Sequence, residues 1–200
     1  MTNERLKNLI VELQRKNSEG HDYALSEIDA VASRILEAID YYTNSGATPI
    51  VKIVSEFNFK TYKAKMTSKL SGNIYVNNKE KTEKYKSPRV ILVNKAEGLF
   101  HQRFVIAHEL AHFLFDYLGH ESEYETGFSN TYCKNKHESN EEKRTNRFAA
   151  ELLMPKKLFI KQYEIAKNTE NDELFVVKYL SEFFETTPES IKKRIEEVFA

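Results

Sequence analysis

The chain has 200 residues, of which 40% are hydrophobic and 30% are charged, and its 30 basic residues balance its 30 acidic residues. This length suits one domain with a sizeable core, and the even charge argues against nucleic acid as the main ligand. The sequence contains no apolar run of the roughly 18 residues that a membrane span needs, and no signal-peptide pattern at its start. Its single cysteine excludes an internal disulfide. These features predict a cytoplasmic protein.

Apolar residues at helical spacing dominate the N-terminal quarter of the chain. They predict amphipathic helices at 4–16 and 24–43. Thr48 is predicted to cap a third, shorter helix that Pro49 opens and that ends at Phe57.

The pattern changes after this point to short runs rich in β-branched and aromatic residues. Three runs, at 57–63, 72–76 and 89–93, predict a small antiparallel sheet. The polar segment 77–88 between the second and third runs is interpreted as a charged loop.

The next segment carries an H-E-x-x-H motif, formed by His108, Glu109 and His112. Apolar residues surround nearly the whole circumference of 101–118, which predicts a buried helix. Positions i and i+4 share one face of a helix, so the two imidazoles can bind one divalent cation. Glu109 can then act as general base on a water at the metal. The pattern indicates a metal-dependent peptidase; two ordinary core histidines are the competing interpretation.

The C-terminal part of the chain reads as a long connection followed by helices. Residues 119–139 are polar and aromatic without a clear period, which is typical of a functional or mobile loop. Helices are then predicted at 140–154, 156–166, 172–184 and 188–199. We expect a metallopeptidase core at 1–155 and a helical, helix-turn-helix-like segment at 156–200 that packs on it.

A catalytic site of this kind needs a third protein ligand for its metal. Glu142 is the preferred candidate over Glu141 and Glu138, with Asn146 one turn later steadying a metal-bound histidine. Ser139 and Glu142 also form a capping-box pattern, which is the alternative role for that glutamate. Two imidazoles and one carboxylate suit Zn²⁺, and Mn²⁺ is a possible replacement.

Three segments together resemble the ImmA/IrrE family of metallopeptidases. They are Ile91–Asn94, Ile106–Leu114 and Glu142–Pro155, and the resemblance extends over about 30–198. Thr145 departs from the alanine that is usual in the family, a change of one small residue for another.

The resemblance implies an α+β, mainly helical fold related to the thermolysin-like zincins, with a small antiparallel sheet and a C-terminal helical segment. It implies His108, His112 and Glu142 as metal ligands and Glu109 as the base. It also implies a metalloendopeptidase that cuts a helix-turn-helix transcriptional repressor of a phage, a mobile element or a stress regulon.

The residue that stabilises the oxyanion is left open among side chains of the long loop. Tyr124, Tyr132, His120 and His137 are the candidates. Cys133, four residues before His137, is interpreted as an incidental thiol. A substrate is expected to add as a strand to an edge of the sheet.

The competing function is a non-catalytic regulatory module, a toxin or sensor that binds a partner or DNA. The last two helices resemble a helix-turn-helix, and Lys192, Lys193 and Arg194 form a basic cluster there. Neighbouring glutamates offset this charge, so direct binding of nucleic acid is disfavoured. The sequence does not predict an oligomeric state.

Overall fold

The computed structural model describes residues 4–41, 46–133 and 139–199. Within these ranges the fold is α+β and mainly helical, as the sequence predicted. The helices are α1 (Glu4–Ser18), α2 (Leu25–Ala38), α3 (Ile50–Glu56), α4 (Lys79–Tyr85), α5 (Leu99–His112), α6 (Asn140–Leu153), α7 (Lys156–Thr169), α8 (Glu173–Phe184) and α9 (Pro188–Phe199). The strands are β1 (Lys60–Ala64), β2 (Leu70–Val76), β3 (Arg89–Asn94) and β4 (Phe128–Cys133).

The four strands form one mixed sheet in the order β1-β3-β2-β4. β2 runs antiparallel to β3 and β4, but β1 runs parallel to β3, so the prediction of an antiparallel sheet is wrong for this pair. Residues 90–94 of β3 are all buried, as expected for a strand inside the sheet. Such a strand pairs along both of its edges, and β2 occupies one of them. β1 occupies the second edge, and it enters the sheet directly from α3, which packs against α5.

Two predicted loops contain regular structure. The charged segment 77–88 contains α4, whose Asn78 side chain accepts a hydrogen bond from the backbone N–H of Lys81. None of the α4 side chains is buried, so the sequence has no apolar stripe here from which the helix could be predicted. The long connection at 119–139 contains β4, which pairs with β2.

Two predictions near the third helix are also corrected. α2 ends at Ala38, before the predicted 43, and Asp40 has a left-handed φ of 53° that stops the helix. Thr48 does not cap α3, because its hydroxyl donates to the carbonyl oxygen of Leu152 at 2.9 Å. Pro49 occupies the cap position instead, and the helix begins at Ile50.

α5 lies at the centre of the molecule, between the sheet and α6. All of its residues from Val105 to His112 are buried, which confirms the predicted buried helix. The chain continues as a π-helical turn, Phe113–Tyr117. α1 contacts this turn through Asn17, whose side-chain amide donates to the backbone oxygens of Leu114 and Leu118.

The C-terminal helix α9 is joined to α6 by a buried ion pair. The guanidinium of Arg194 donates to the carboxylate of Glu151 and to the backbone oxygen of Met154. Burial raises the pKa of the Glu151 carboxyl, although the charge of Arg194 acts in the opposite direction. Removal of one partner from such a pair leaves an uncompensated buried charge. The division of the chain at residue 155 stays a prediction.

Gly72 of β2 allows the sheet to approach α5 closely. A Cβ atom at this position would lie 2.3 Å from Cγ1 of Val105 and 3.1 Å from the backbone oxygen of Leu92. Any side chain here would therefore push α5 away from the strand.

We expect Gly72→Ala to lower the free energy of unfolding by about 1–3 kcal/mol, the usual cost of overpacking. The measurement is urea unfolding followed by circular dichroism. Gly98→Ala is the matched control, because a Cβ there meets nothing within 4 Å. Equal stability of the Gly72→Ala variant and the wild type would contradict the described contact between β2 and α5.

Candidate metal centre and active site

Three buried side chains from two helices converge on one point. His108 and His112 project from consecutive turns of α5, with their Nε2 atoms 3.0 Å apart. Glu142 reaches them from α6, with Oε2 at 3.4 Å from Nε2 of His108 and Oε1 at 4.0 Å from Nε2 of His112. The three potential ligand atoms lie within 4.8 Å of one another, so the cluster could hold a metal ion.

The outer nitrogen of each imidazole faces a side-chain oxygen. Nδ1 of His108 lies 3.0 Å from Oδ1 of Asn146, and Nδ1 of His112 lies 2.5 Å from Oδ2 of Asp116. Because these oxygens accept hydrogen bonds, they favour the tautomer with the proton on Nδ1. Each Nε2 then keeps a lone pair available within the cluster, where the other Nε2 and the Glu142 carboxylate lie. Two imidazole lone pairs and one carboxylate are a donor set that fits Zn²⁺ or a similar divalent cation.

Asp116 was not identified in the sequence. It follows His112 by four residues, in the π-helical turn after α5, and this spacing was the available signal. Arg144 of α6 donates to the other carboxylate oxygen of Asp116. Asp116 and Arg144 together fix the orientation of the His112 ring, and Asn146 fixes that of the His108 ring.

The two roles considered for Glu142 separate cleanly in the structure. Ser139 does cap α6, since its hydroxyl oxygen accepts a hydrogen bond from the Glu142 backbone N–H at 3.3 Å. The Glu142 carboxylate faces the two histidines. Of the alternative ligands, Glu141 is exposed and Glu138 lies outside the described residues.

Glu109 is fully buried on the side of α5 that faces the sheet. Its Oε1 atom lies next to β2, where a Cβ atom built on Gly72 would be 3.5 Å away. The Glu109 carboxylate is therefore within van der Waals reach of β2 at residue 72. Glu109 directly follows His108 in the chain, and a carboxylate next to a metal ligand can accept and return a proton.

Tyr132 of β4 is the oxyanion candidate that lies next to the cluster. The centroid of its ring is 4.4 Å from that of His108. On the other side its ring centroid is 6.2 Å from that of His101, which no motif in the sequence marks as part of the site. His101 precedes His108 by two helical turns, and its Nε2 lies 3.2 Å from the Ser71 hydroxyl.

Two of the other oxyanion candidates, Tyr124 and His120, contact residues outside the cluster. Tyr124 packs against Phe128 with ring centroids 5.0 Å apart, and burial raises the pKa of its hydroxyl, helped by the charges of Asp116 and Glu123. His120 pairs with Glu123 at 2.9 Å. His137 is outside the described residues.

The sequence was also compared with known proteins. A model of the IrrE N-terminal-like domain, Peptidase M78, matches residues 55–196. The chain belongs to this family. The match covers both helices of the metal cluster and continues through most of α9, and it confirms the resemblance to ImmA/IrrE metallopeptidases. No curated protein matched the sequence.

The hydrogen bond from His112 to Asp116 predicts how a substitution of Asp116 affects metal binding at this M78-family site. Asp116→Asn removes the charge that favours the Nδ1 proton, so we expect metal binding to weaken by about 10- to 100-fold. The measurement is competition with a chromophoric chelator. Glu123→Gln is the control, since exposed Glu123 pairs with half-buried His120 and not with a histidine of the cluster, so the affinity is expected to stay unchanged. Unchanged affinity in Asp116→Asn would contradict the positioning role.

Proposed function

We propose that this protein is a zinc-dependent endopeptidase that cleaves a helix-turn-helix transcriptional repressor. Membership of the Peptidase M78 family supports a metallopeptidase-type function. The observation that carries the proposal is the buried convergence of His108, His112 and Glu142, with Glu109 in the same helix as the two histidines. An ordinary core pair of histidines would not require a carboxylate from a second helix at 3.4 Å.

His108, His112 and Glu142 would hold the ion, and Asn146 and Asp116 keep the two rings in position. A bound Zn²⁺ would supply Lewis-acid chemistry, activating water and polarising the scissile carbonyl. Glu109 takes the proton from the attacking water and returns it to the leaving amine. The buried position of Glu109 keeps bulk water from competing for this proton. Tyr132 beside His108 is our choice for the oxyanion donor.

The proposed substrate is a protein chain that binds in extended form. β4 is an edge strand of the described sheet, and Tyr132 of this strand contacts His108. Strand addition at β4 would thus bring a main chain to the cluster with little demand on its side chains. The choice of a helix-turn-helix repressor rests on the resemblance to the ImmA/IrrE family, whose members typically cut such proteins.

The DNA-binding alternative is weakened by the contacts of α9. Arg194, one of three residues in the basic cluster, is buried and paired with Glu151. Lys193 lies 3.8 Å from the carboxylate of Glu189. Two of the three basic side chains of α9 are thus paired with carboxylates, which leaves less positive charge for phosphate groups. None of the helices in the described ranges has the length and apolar character to cross a bilayer. The cytoplasmic location stays a prediction.

Glu109→Gln tests the proposed chemistry. We expect this variant to keep its metal, because the ligands are unchanged, and to lose cleavage by about 10²- to 10⁴-fold, because the base is removed. The measurement is mass spectrometry of new N-termini that the zinc-loaded protein generates in a bacterial lysate and in purified helix-turn-helix repressors.

Three results are distinguishable in this assay. New N-termini that depend on Glu109 and map to repressors support the whole proposal. Termini that depend on Glu109 but map to other proteins keep the peptidase and overturn the substrate. Equal cleavage by the wild type and Glu109→Gln would contradict the mechanism.

A further inference from the structure

An open pocket of about 610 Å³ lies where the end of α3 and the start of β1 meet the turns that flank α4. Its volume falls within the range of about 300–1,000 Å³ that is usual for small-molecule sites. None of the proposed metal ligands lines this pocket, and neither Glu109 nor Tyr132 does. The pocket is therefore separate from the candidate active site.

Among the described residues, the charged side chains that line this pocket are all cations. They are Lys60, Lys86 and Arg89, and the rest of the lining is neutral, with serine or asparagine at four positions. None of the three cations forms an ion pair with a carboxylate of the described chain. Three uncompensated positive charges thus surround one pocket in a chain whose net charge is zero.

Arg89 differs from the other arginines that are partly or fully buried. Each of the other five in the described ranges pairs with a carboxylate; they are Arg34, Arg103, Arg144, Arg147 and Arg194. Burial lowers the pKa of the Arg89 guanidinium, although the charges of Tyr117 and Glu121 act in the opposite direction. Because a guanidinium stays protonated in proteins, an anion that enters the pocket would compensate a partly buried charge.

Contacts with the core hold the Arg89 side chain in place. Its Nη1 donates to the backbone oxygen of Phe57 at 2.8 Å, and its guanidinium carbon lies 4.6 Å from the centroid of the Phe113 ring. Nε and Nη2 make no hydrogen bond to the described residues, and both are accessible to solvent. A planar fork of N–H donors that is already fixed loses little entropy when an oxyanion binds to it.

The two lysines lie next to each other on the rim of the pocket. Nζ of Lys60 donates to the backbone oxygen of Lys86 at 3.1 Å, and both residues are exposed. An ammonium group has three donors, so this contact leaves two of them on Lys60 available. Arg89 and the two lysines can therefore bind one ligand group together.

Phosphate is the group that fits this set of donors best. A phosphate monoester carries nearly two negative charges near pH 7 and has three strong acceptor oxygens, so it matches three cations better than a single carboxylate does. The volume of the pocket leaves space for an organic group beside the phosphate. Exposed Glu80 and Glu83 lie on α4 between the two flanking turns, and they would repel a long polyanion such as nucleic acid.

We propose that this pocket binds the phosphate group of a small phosphorylated molecule. Arg89 recognises the phosphate oxygens through its planar fork, and Lys60 and Lys86 add positive charge at the rim. This second ligand site is independent of the proposed peptidase function.

The test is calorimetry on the zinc-loaded, full-length protein. The probes are inorganic phosphate, ribose 5-phosphate, adenosine 5′-monophosphate and adenosine. We expect the two phosphorylated molecules to bind with dissociation constants below about 1 mM and more tightly than inorganic phosphate, and adenosine to show no binding. Added sodium chloride should weaken the binding, because it screens the attraction between the charges.

Lys60→Gln and Lys86→Gln together remove two of the three charges at exposed positions, where the fold is not at risk. This double variant should bind the phosphorylated molecules about 10- to 100-fold more weakly. Lys178→Gln is the control, because it removes the same kind of charge from an exposed position on α8 and should leave the affinity unchanged. Arg89→Lys keeps the charge but loses the planar fork, so it should also weaken binding, with its folding checked by thermal unfolding.

Four results would contradict the proposal. Absence of binding by every probe, or equal binding by the wild type and the double lysine variant, would overturn the site. Binding that is lost in His108→Ala would also overturn it, because the phosphate would then bind to the metal. Inorganic phosphate that binds as tightly as the phosphorylated molecules would keep a phosphate site but overturn the small organic ligand. A single-stranded oligonucleotide that binds more tightly than adenosine 5′-monophosphate through the same lysines would overturn that ligand in favour of nucleic acid.

Discussion

The packing of α6 across α5 is the interaction on which the candidate site depends. α5 alone supplies two imidazoles and a carboxylate, and it is held between the sheet and α6 with its polar side chains buried. α6 delivers Glu142 to the open side of the two histidines and Asn146 to the back of His108. Buried polar groups are costly unless they are paired, and a binding site must hold its groups to within about 0.5 Å, so the site depends on how these two helices pack.

Several contacts around the two helices maintain this arrangement. On one side Gly72 lets β2 lie close to α5, and on the other Arg144 of α6 pairs with Asp116 just beyond it. At the far end of α6, Arg194 of α9 donates to Glu151 and Met154. The C-terminal helix thus supports the same helix that carries Glu142. The family match continues to residue 196 and so includes most of this helix.

The sequence predicted those parts of the site that depend on local spacing. His108 and His112 are one helical turn apart, which a motif reveals, and Glu142 and Asn146 follow the same rule on α6. Asp116 lies outside the H-E-x-x-H motif, in the π-helical turn after α5, and its four-residue spacing from His112 was the signal that was missed. The contact of Tyr132 with His108 depends on the pairing of β4 with β2, which is a long-range feature.

The fold was predicted best where the apolar pattern is strong. α4 has no buried residue, and β4 carries polar side chains, so neither produces a clear period. The parallel direction of β1 beside β3 is decided by the path of the chain through α3, and no local pattern encodes it. These are cases in which tertiary contacts, rather than the residues of the element, determine the structure.

The most direct test of this account is the metal content of the purified protein, measured by elemental analysis for the wild type, His108→Ala, Glu142→Gln and Glu141→Gln. We predict about one zinc or manganese ion per chain in the wild type and in Glu141→Gln, and a strong loss in the other two variants. Equal metal content in Glu142→Gln and the wild type, or no metal in any protein after reconstitution, would contradict the assignment of His108, His112 and Glu142 as a metal centre.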